Sequence, residues 1–150
     1  MCTITLKYLL IIALLANFSE AFHWPSRSKV NISITNTFYH PNTNLTVNCK
    51  SKHKDLNIHV IPNGETYEFT VKNRIWGSTF YYCRFSFDDK SYNFKVYNQK
   101  TDKGLCLGHC RWEMTEEYPF LITYNDRGER YGHFFYWDEF ESDIRRILNS

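Results

Sequence analysis

Residues 79–97 read Thr79-Phe-Tyr-Tyr-Cys83-Arg-Phe85-Ser-Phe87-Asp88-Asp-Lys90-Ser-Tyr92-Asn-Phe94-Lys-Val96-Tyr97. Tyr81, Cys83, Phe85 and Phe87 fall on one side of an extended chain, with Tyr82, Arg84 and Ser86 on the other, the period-2 alternation of a half-buried strand. Asp88 to Ser91 supplies turn residues and Tyr92 to Tyr97 resumes the aromatic run, so the stretch predicts a β-hairpin. The same pattern recurs outward from it. Lys29 to Thr35 alternates Val30, Ile32 and Ile34 against Asn31, Ser33 and Thr35, and Leu45, Val47 and Cys49 follow the turn-forming Pro41-Asn-Thr-Asn. Ile58, Val60 and the run Tyr67 to Val71 flank Ile61-Pro-Asn-Gly64, which favours a tight turn. Lys100 to Gly104 reads as a polar loop, and further strands are expected at Leu105–Met114, Pro119–Tyr124 and Glu129–Tyr136. Eight or nine short strands, with turn signals about every 8–12 residues, predict an all-β fold, a single antiparallel β-sandwich. Helical spacing enters only at the end, where Phe140, Ile144, Ile147 and Leu148 could share the face of a short C-terminal helix.

The first 21 residues read as a secretory signal peptide. Lys7 gives the positive flank, Tyr8 to Leu15 a short apolar core, and Ser19-Glu20-Ala21 the small residues of a cleavage site. The apolar core is far shorter than the roughly 20 residues that span a bilayer, so export is expected rather than membrane insertion. Cleavage removes one basic and one acidic residue, Lys7 and Glu20, and leaves the net charge at +2, too small a surplus for a nucleic-acid partner. Residues 22–150 suffice for one domain with one core, here 29–136, and the 18% aromatic content argues against disorder. In an exported chain, Asn31-Ile-Ser and Asn44-Leu-Thr are glycosylation sequons; Asn17-Phe-Ser lies in the signal and is lost with it.

Without Cys2, which lies in the signal, four cysteines remain: Cys49, Cys83, Cys106 and Cys110. An even number in a secreted chain predicts two disulfides, each stabilising by about 3–4 kcal/mol on a chain-entropy model. Cys49 and Cys83 alternate in phase with buried residues, and this set spaces poorly as a zinc site. Three pairings are open; because Cys106–Cys110 would close an unusually small ring, pairing of each with Cys49 or Cys83 is favoured.

Several phrases in order resemble the plant self-incompatibility S1 family, also called S-protein homologues. They are Val30-Asn-Ile-Ser-Ile-Thr-Asn36, Leu45-Thr-Val-Asn-Cys-Lys-Ser-Lys52 with Asp55-Leu56, Gly64-x-x-Tyr67-x-Phe69, Trp76-Gly77 leading to Cys83-Arg-Phe85, Phe94-x-Val-Tyr97, and Cys106-x3-Cys110-x-Trp112. The resemblance spans about residues 29–136. It departs where the family has a glycine after Asp-Leu, since Asn57 stands there, and the tail from Trp137 runs beyond it. The resemblance implies small extracellular β-sandwich proteins, the best known of which are secreted ligands for a membrane receptor protein on another cell. No cofactor is expected, and a monomer is.

The residues themselves separate three kinds of function. An acid–base ribonuclease needs two histidines near a Lys or Glu, and His53 and His59 lie beside Lys52, Lys54 and Asp55. An exposed loop and an edge strand explain them better, and no catalytic residue is assigned. Asp88-Asp89 and Glu116-Glu117 are adjacent pairs that point to opposite faces of a strand, and Asp126-x-Gly128 lacks the other positions of a calcium loop, so no metal is assigned. Recognition by loops is the stronger reading. The candidate receptor contacts are Lys50, Lys52, His53, Lys54 and Asp55; Asp88, Asp89 and Lys90 at the hairpin tip; and Asp126, Arg127 and Arg130 in the turn Asn125–Arg130. An extracellular carbohydrate-binding or defence protein, stacking sugars on its Tyr and Trp, is the alternative. Trp76 beside Gly77 and Trp112 after Cys110 read instead as packing anchors of the disulfides.

Overall fold

The computed structural model describes residues 2–21, 27–125 and 127–137. Helix α1 (Cys2–Ala21) precedes strands β1 (Lys29–Asn36), β2 (Leu45–Lys50), β3 (Asp55–Ile61), β4 (Thr66–Lys72), β5 (Phe80–Phe87) and β6 (Lys90–Asn98). Helix α2 (Gln99–Cys106) then leads into β7 (His109–Met114), β8 (Pro119–Tyr124) and β9 (Arg130–Phe134). Two sheets form, ordered β4-β1-β7-β8-β9 and β3-β2-β5-β6.

The alternation read from the sequence becomes the core. Ile32, Ile34, Val47, Phe85, Phe94 and Met114 are fully buried between the sheets. Trp112 of β7 reaches across the sandwich, where its indole N–H donates to the Val96 carbonyl of β6 at 2.9 Å and its ring meets Phe94 edge-on at 5.1 Å. Burial of each such side chain is worth about 1.5–3 kcal/mol. The β5–β6 hairpin forms as predicted, Phe87 opposite Lys90 at its tip.

Cys49 of β2 lies directly opposite Cys83 of β5, with Cα atoms 3.9 Å apart, and the two are bonded. The second bridge joins Cys106 to Cys110, contrary to the favoured pairing. Cys106 ends α2, and Leu107 and Gly108 both take positive φ, 45° and 90°, which folds the chain back so that Cys110 of β7 comes within 4.6 Å. Cys49 and Cys83 are meanwhile consumed by their own register. The bridges differ in weight: closing the 34-residue separation is worth about 4 kcal/mol, and the separation of 4 about 2.

Other expectations are corrected. The segment expected as a loop and the start of a strand is α2, capped by Asn98, whose side chain accepts from the Lys100 N–H. Asp102, 4% exposed, secures it by accepting from the Asn98 N–H at 2.7 Å and from Lys95 Nζ at 3.2 Å. The sandwich is mixed rather than purely antiparallel: β7 pairs parallel to β1, because α2 carries the chain from one sheet into the other before β7 enters. The turn at Pro62–Glu65 likewise joins β3 and β4 of different sheets. Trp76 is no packing anchor; it is 88% exposed. Trp137, placed outside the core, is 5% exposed within it. Asn57, where the family has glycine, sits at φ 63°, a left-handed conformation that asparagine tolerates better than other side chains.

Helix α1 exposes Ile4, Leu6, Leu9, Leu10 and Ile12. Among the described residues no helix is long and apolar enough to cross a membrane. The expected C-terminal helix and Asp126 lie outside the described residues.

Candidate functional site

Strand polarity sorts the loops to the two ends of the sandwich. One end gathers Arg27 before β1, the β2–β3 turn, the β4–β5 connection, the approach to β7 and the β8–β9 turn. The other gathers segment 37–44, the turn at Pro62–Glu65, the hairpin tip at Asp88 and Asp89, and the turn after β7. The predicted recognition residues therefore divide. Lys50 to Asp55, Arg127 and Arg130 stand at the first end, and Asp88, Asp89 and Lys90 at the second.

The first end holds a cleft of about 560 Å³ between the β2–β3 turn and the β4–β5 connection. Its basic lining is Arg27, Lys52, His53, Lys54, Lys72 and Arg74, and no Asp or Glu lines it among the described residues. Half-buried Phe80 and Tyr82 give it an aromatic wall. None of the five Lys and Arg side chains has an ion-pair partner among the described residues. Lys72 also lies directly opposite Lys29 in the β1–β4 register, a like-charge pairing that costs stability. Two nearby charges are satisfied elsewhere: Lys50 Nζ holds Asp55 Oδ2 at 2.8 Å, and Arg130 Nη2 holds Glu113 Oε1 at 2.7 Å. Their mutual hydrogen bond raises the Lys50 pKa and lowers that of Asp55.

Buried polar groups set the cleft's shape. Asn73 Oδ1 accepts from the Tyr97 hydroxyl at 2.7 Å and Asn73 Nδ2 donates to Ser28 Oγ at 2.9 Å, which fixes the end of β4 against the chain following Arg27. The Gln99 carbonyl accepts from Arg74 N–H and Thr79 N–H, while its amide donates to the Arg74 carbonyl. The loop so clamped carries Trp76 outward, beside Gly77 at φ 90°.

At the second end, Phe38 is buried edge-on against Phe87 at 4.6 Å, and this holds its neighbour Tyr39 out at 95% exposure. His40 Nδ1 meets Glu116 Oε1 at 2.7 Å, tying segment 37–44 to the turn after β7. That hydrogen bond and the carboxylate charge raise the His40 pKa and lower that of Glu116.

The candidate acid–base residues are not assembled. His53 lines the basic cleft, whereas His59 stacks on Tyr67 at 4.0 Å with Nε2 against the Leu56 carbonyl at 2.8 Å. Ser33, His109 and Glu68 do meet on the outer face of the larger sheet, with Nε2 3.0 Å from Ser33 Oγ. Glu68 approaches that same nitrogen, at 4.0 Å, and so does not orient the ring from its other side as a serine triad requires. Burial, then Arg111, lowers the His109 pKa. No group of metal-ligating residues occurs among the described residues. The sequon residues Asn31 and Asn44 are both exposed, and Asn31 Oδ1 accepts from Thr70 Oγ1 at 2.8 Å.

Sequence reasoning found Lys52, His53 and Lys54 as a charged loop but missed Arg27, Lys72 and Arg74. Arg27 precedes β1 while Lys72 and Arg74 stand at the end of β4, and only the fold brings the two segments to the β2–β3 turn. Tyr39 was missed as well; its alternation with buried Phe38 is the signal that could have found it.

The sequence model of plant self-incompatibility protein S1 matches residues 31–137. S-protein homolog 5 of Arabidopsis thaliana is 39% identical over 75 residues, covering 50% of this chain and 58% of that relative. S-protein homolog 18 of the same plant is 27% identical over 128 residues, covering 85% and 94%. Self-incompatibility protein S1 of Papaver rhoeas is 25% identical over 75 residues, covering 49% and 54%. A solved structure of self-incompatibility protein homologues, described as small, highly stable, secreted plant proteins, matches with a TM-score of 0.51 at 13% identity, covering 72% of this chain and 96% of its own. At that identity the likeness speaks for the fold alone. With the family model covering both bridges, both sheets and Trp137, the chain belongs to the plant self-incompatibility S1 family.

Proposed function

We propose that this chain is exported and acts by binding, as an extracellular ligand of a receptor protein on the surface of another cell. Export rests on the signal pattern of the first residues and on α1, whose Ile4, Leu6, Leu9, Leu10 and Ile12 stand exposed outside the core. Two relatives, one named as self-incompatibility protein S1 and one as an S-protein homolog, support a role in recognition between cells. The observation that carries the receptor face is Tyr39, 95% exposed on a loop anchored by Phe38 and the His40–Glu116 pair. Asp88, Asp89 and Lys90 share that end, so an aromatic anchor stands beside charges of both signs. Tyrosine is among the residues enriched at protein–protein hot spots.

The test is saturable binding of fluorescently labelled protein to wall-free plant protoplasts. Tyr39→Ala and Asp88→Lys/Asp89→Lys should each weaken binding markedly while the folded near-UV spectrum persists. Full binding by both variants would refute this receptor face.

A further inference from the structure

We infer that the basic cleft is a binding site for an acidic polysaccharide, a chain of uronic acid rings, separate from the receptor face at the opposite end. Three observations point to a polyanion. Lys52, Lys54, Lys72, Arg27 and Arg74 converge on one open cleft without an ion-pair partner among the described residues. No carboxylate among those residues lines the cleft to neutralise them. Lys72 faces Lys29 across the β1–β4 ladder, so the fold keeps a repulsion there that a bound anion would relieve.

The side chains between the charges decide which polyanion. Lysine is depleted from protein–protein interfaces, where arginine is enriched, and here it outnumbers arginine, so an acidic protein fits poorly. Lysine ammonium groups are hydrated point charges, suited to carboxylates spaced along a polymer rather than to one forked contact. Phe80 and Tyr82 on the wall offer ring faces on which the C–H faces of sugars stack. Ser51 and Ser78 supply hydroxyl partners for sugar hydroxyls. Pure electrostatics would need none of these.

The experiment uses the protein secreted from cells expressing the full chain. Calorimetry measures its binding to a hexamer of α-1,4-linked galacturonate, to the fully methyl-esterified hexamer, and to hexaglutamate. The acid hexamer should bind with an affinity that falls as salt is added, the neutral ester should not bind, and hexaglutamate should bind more weakly than the sugar. Lys52→Glu/Arg74→Glu should lose affinity by about tenfold or more, the scale of one or two charge-assisted contacts. Tyr82→Ala should weaken the sugar too, and near-UV circular dichroism will register that the variant keeps the wild-type fold. Failure of the acid hexamer to bind, hexaglutamate binding as tightly, or wild-type affinity in either variant would overturn the assignment. Protoplast binding through Tyr39 is measured without this polymer, so either reading can fall alone.

Discussion

Gln99 supplies through one side-chain amide what a neighbouring strand would otherwise give. It bonds the backbone at Arg74 through both amide groups, at 3.0 and 2.9 Å, and accepts from the Thr79 N–H at 2.9 Å. Gln99→Leu keeps the size and removes all three bonds; the groups at exposed Arg74 turn to water, and the part-buried Thr79 N–H left unpaired costs about 1–3 kcal/mol. Amide hydrogen exchange should show residues 74–79 losing protection while β1 and β5 keep theirs. Unchanged protection in that loop would mean that Gln99 does not clamp it. Cys49 and Cys83 were legible as inward-facing because period-2 alternation is a property of the strand itself. Trp76 was misread because its exposure depends on a partner at residue 99, and no local pattern encodes a contact of that separation.

At the scale of elements the same division holds. The β5–β6 hairpin announces itself through continuous alternation. Helix α2 does not, since only Asp102 and Cys106 of its residues are buried and no apolar stripe forms. Its evidence lay in polar chemistry, an Asn98 cap and a carboxylate four residues later, which resembles an ordinary charged loop until Lys95 is placed beside it. The loop tied by His40 and Glu116 yields a pH prediction. The raised His40 pKa makes its contribution complete below the ordinary histidine value of 6.5 and lost as pH rises through the elevated pKa. The lowered Glu116 pKa makes its contribution complete above 4.5 and lost as pH falls through the depressed pKa. The tether is therefore firmest in mildly acidic solution, between those two values. An NMR titration should find His40 above the ordinary range in the wild type and back within it in Glu116→Gln. An unshifted wild-type His40 would show the tether to be absent in solution.

For the whole molecule, the unequal sheets pose a packing problem that the last described residues solve. Five strands face four, and the inner face near β8 and β9 would be left uncovered by the smaller sheet. The chain beyond β9 turns in to fill it. Phe135 meets Trp112 at 5.4 Å and Phe94 at 5.8 Å, and Trp137 stacks on Tyr92 at 5.2 Å beside Phe85 and Phe87 at 5.5 and 5.7 Å. One segment thus straps the edge of the larger sheet to the β5–β6 hairpin that first revealed the fold. The sequence did not disclose this, because an isolated Trp after a short strand carries no periodicity. Trp137→Ala should remove the strap and leave a cavity, at about 3–5 kcal/mol, a large share of the roughly 5–15 kcal/mol available to a domain. Trp137→Phe, which keeps a ring against Tyr92 and Phe85, should lose distinctly less. Urea denaturation of both variants checks this: the midpoints should fall in the order wild type, Phe, Ala. An Ala variant as stable as wild type would exclude Trp137 from the core and leave the inner face of β8 and β9 open.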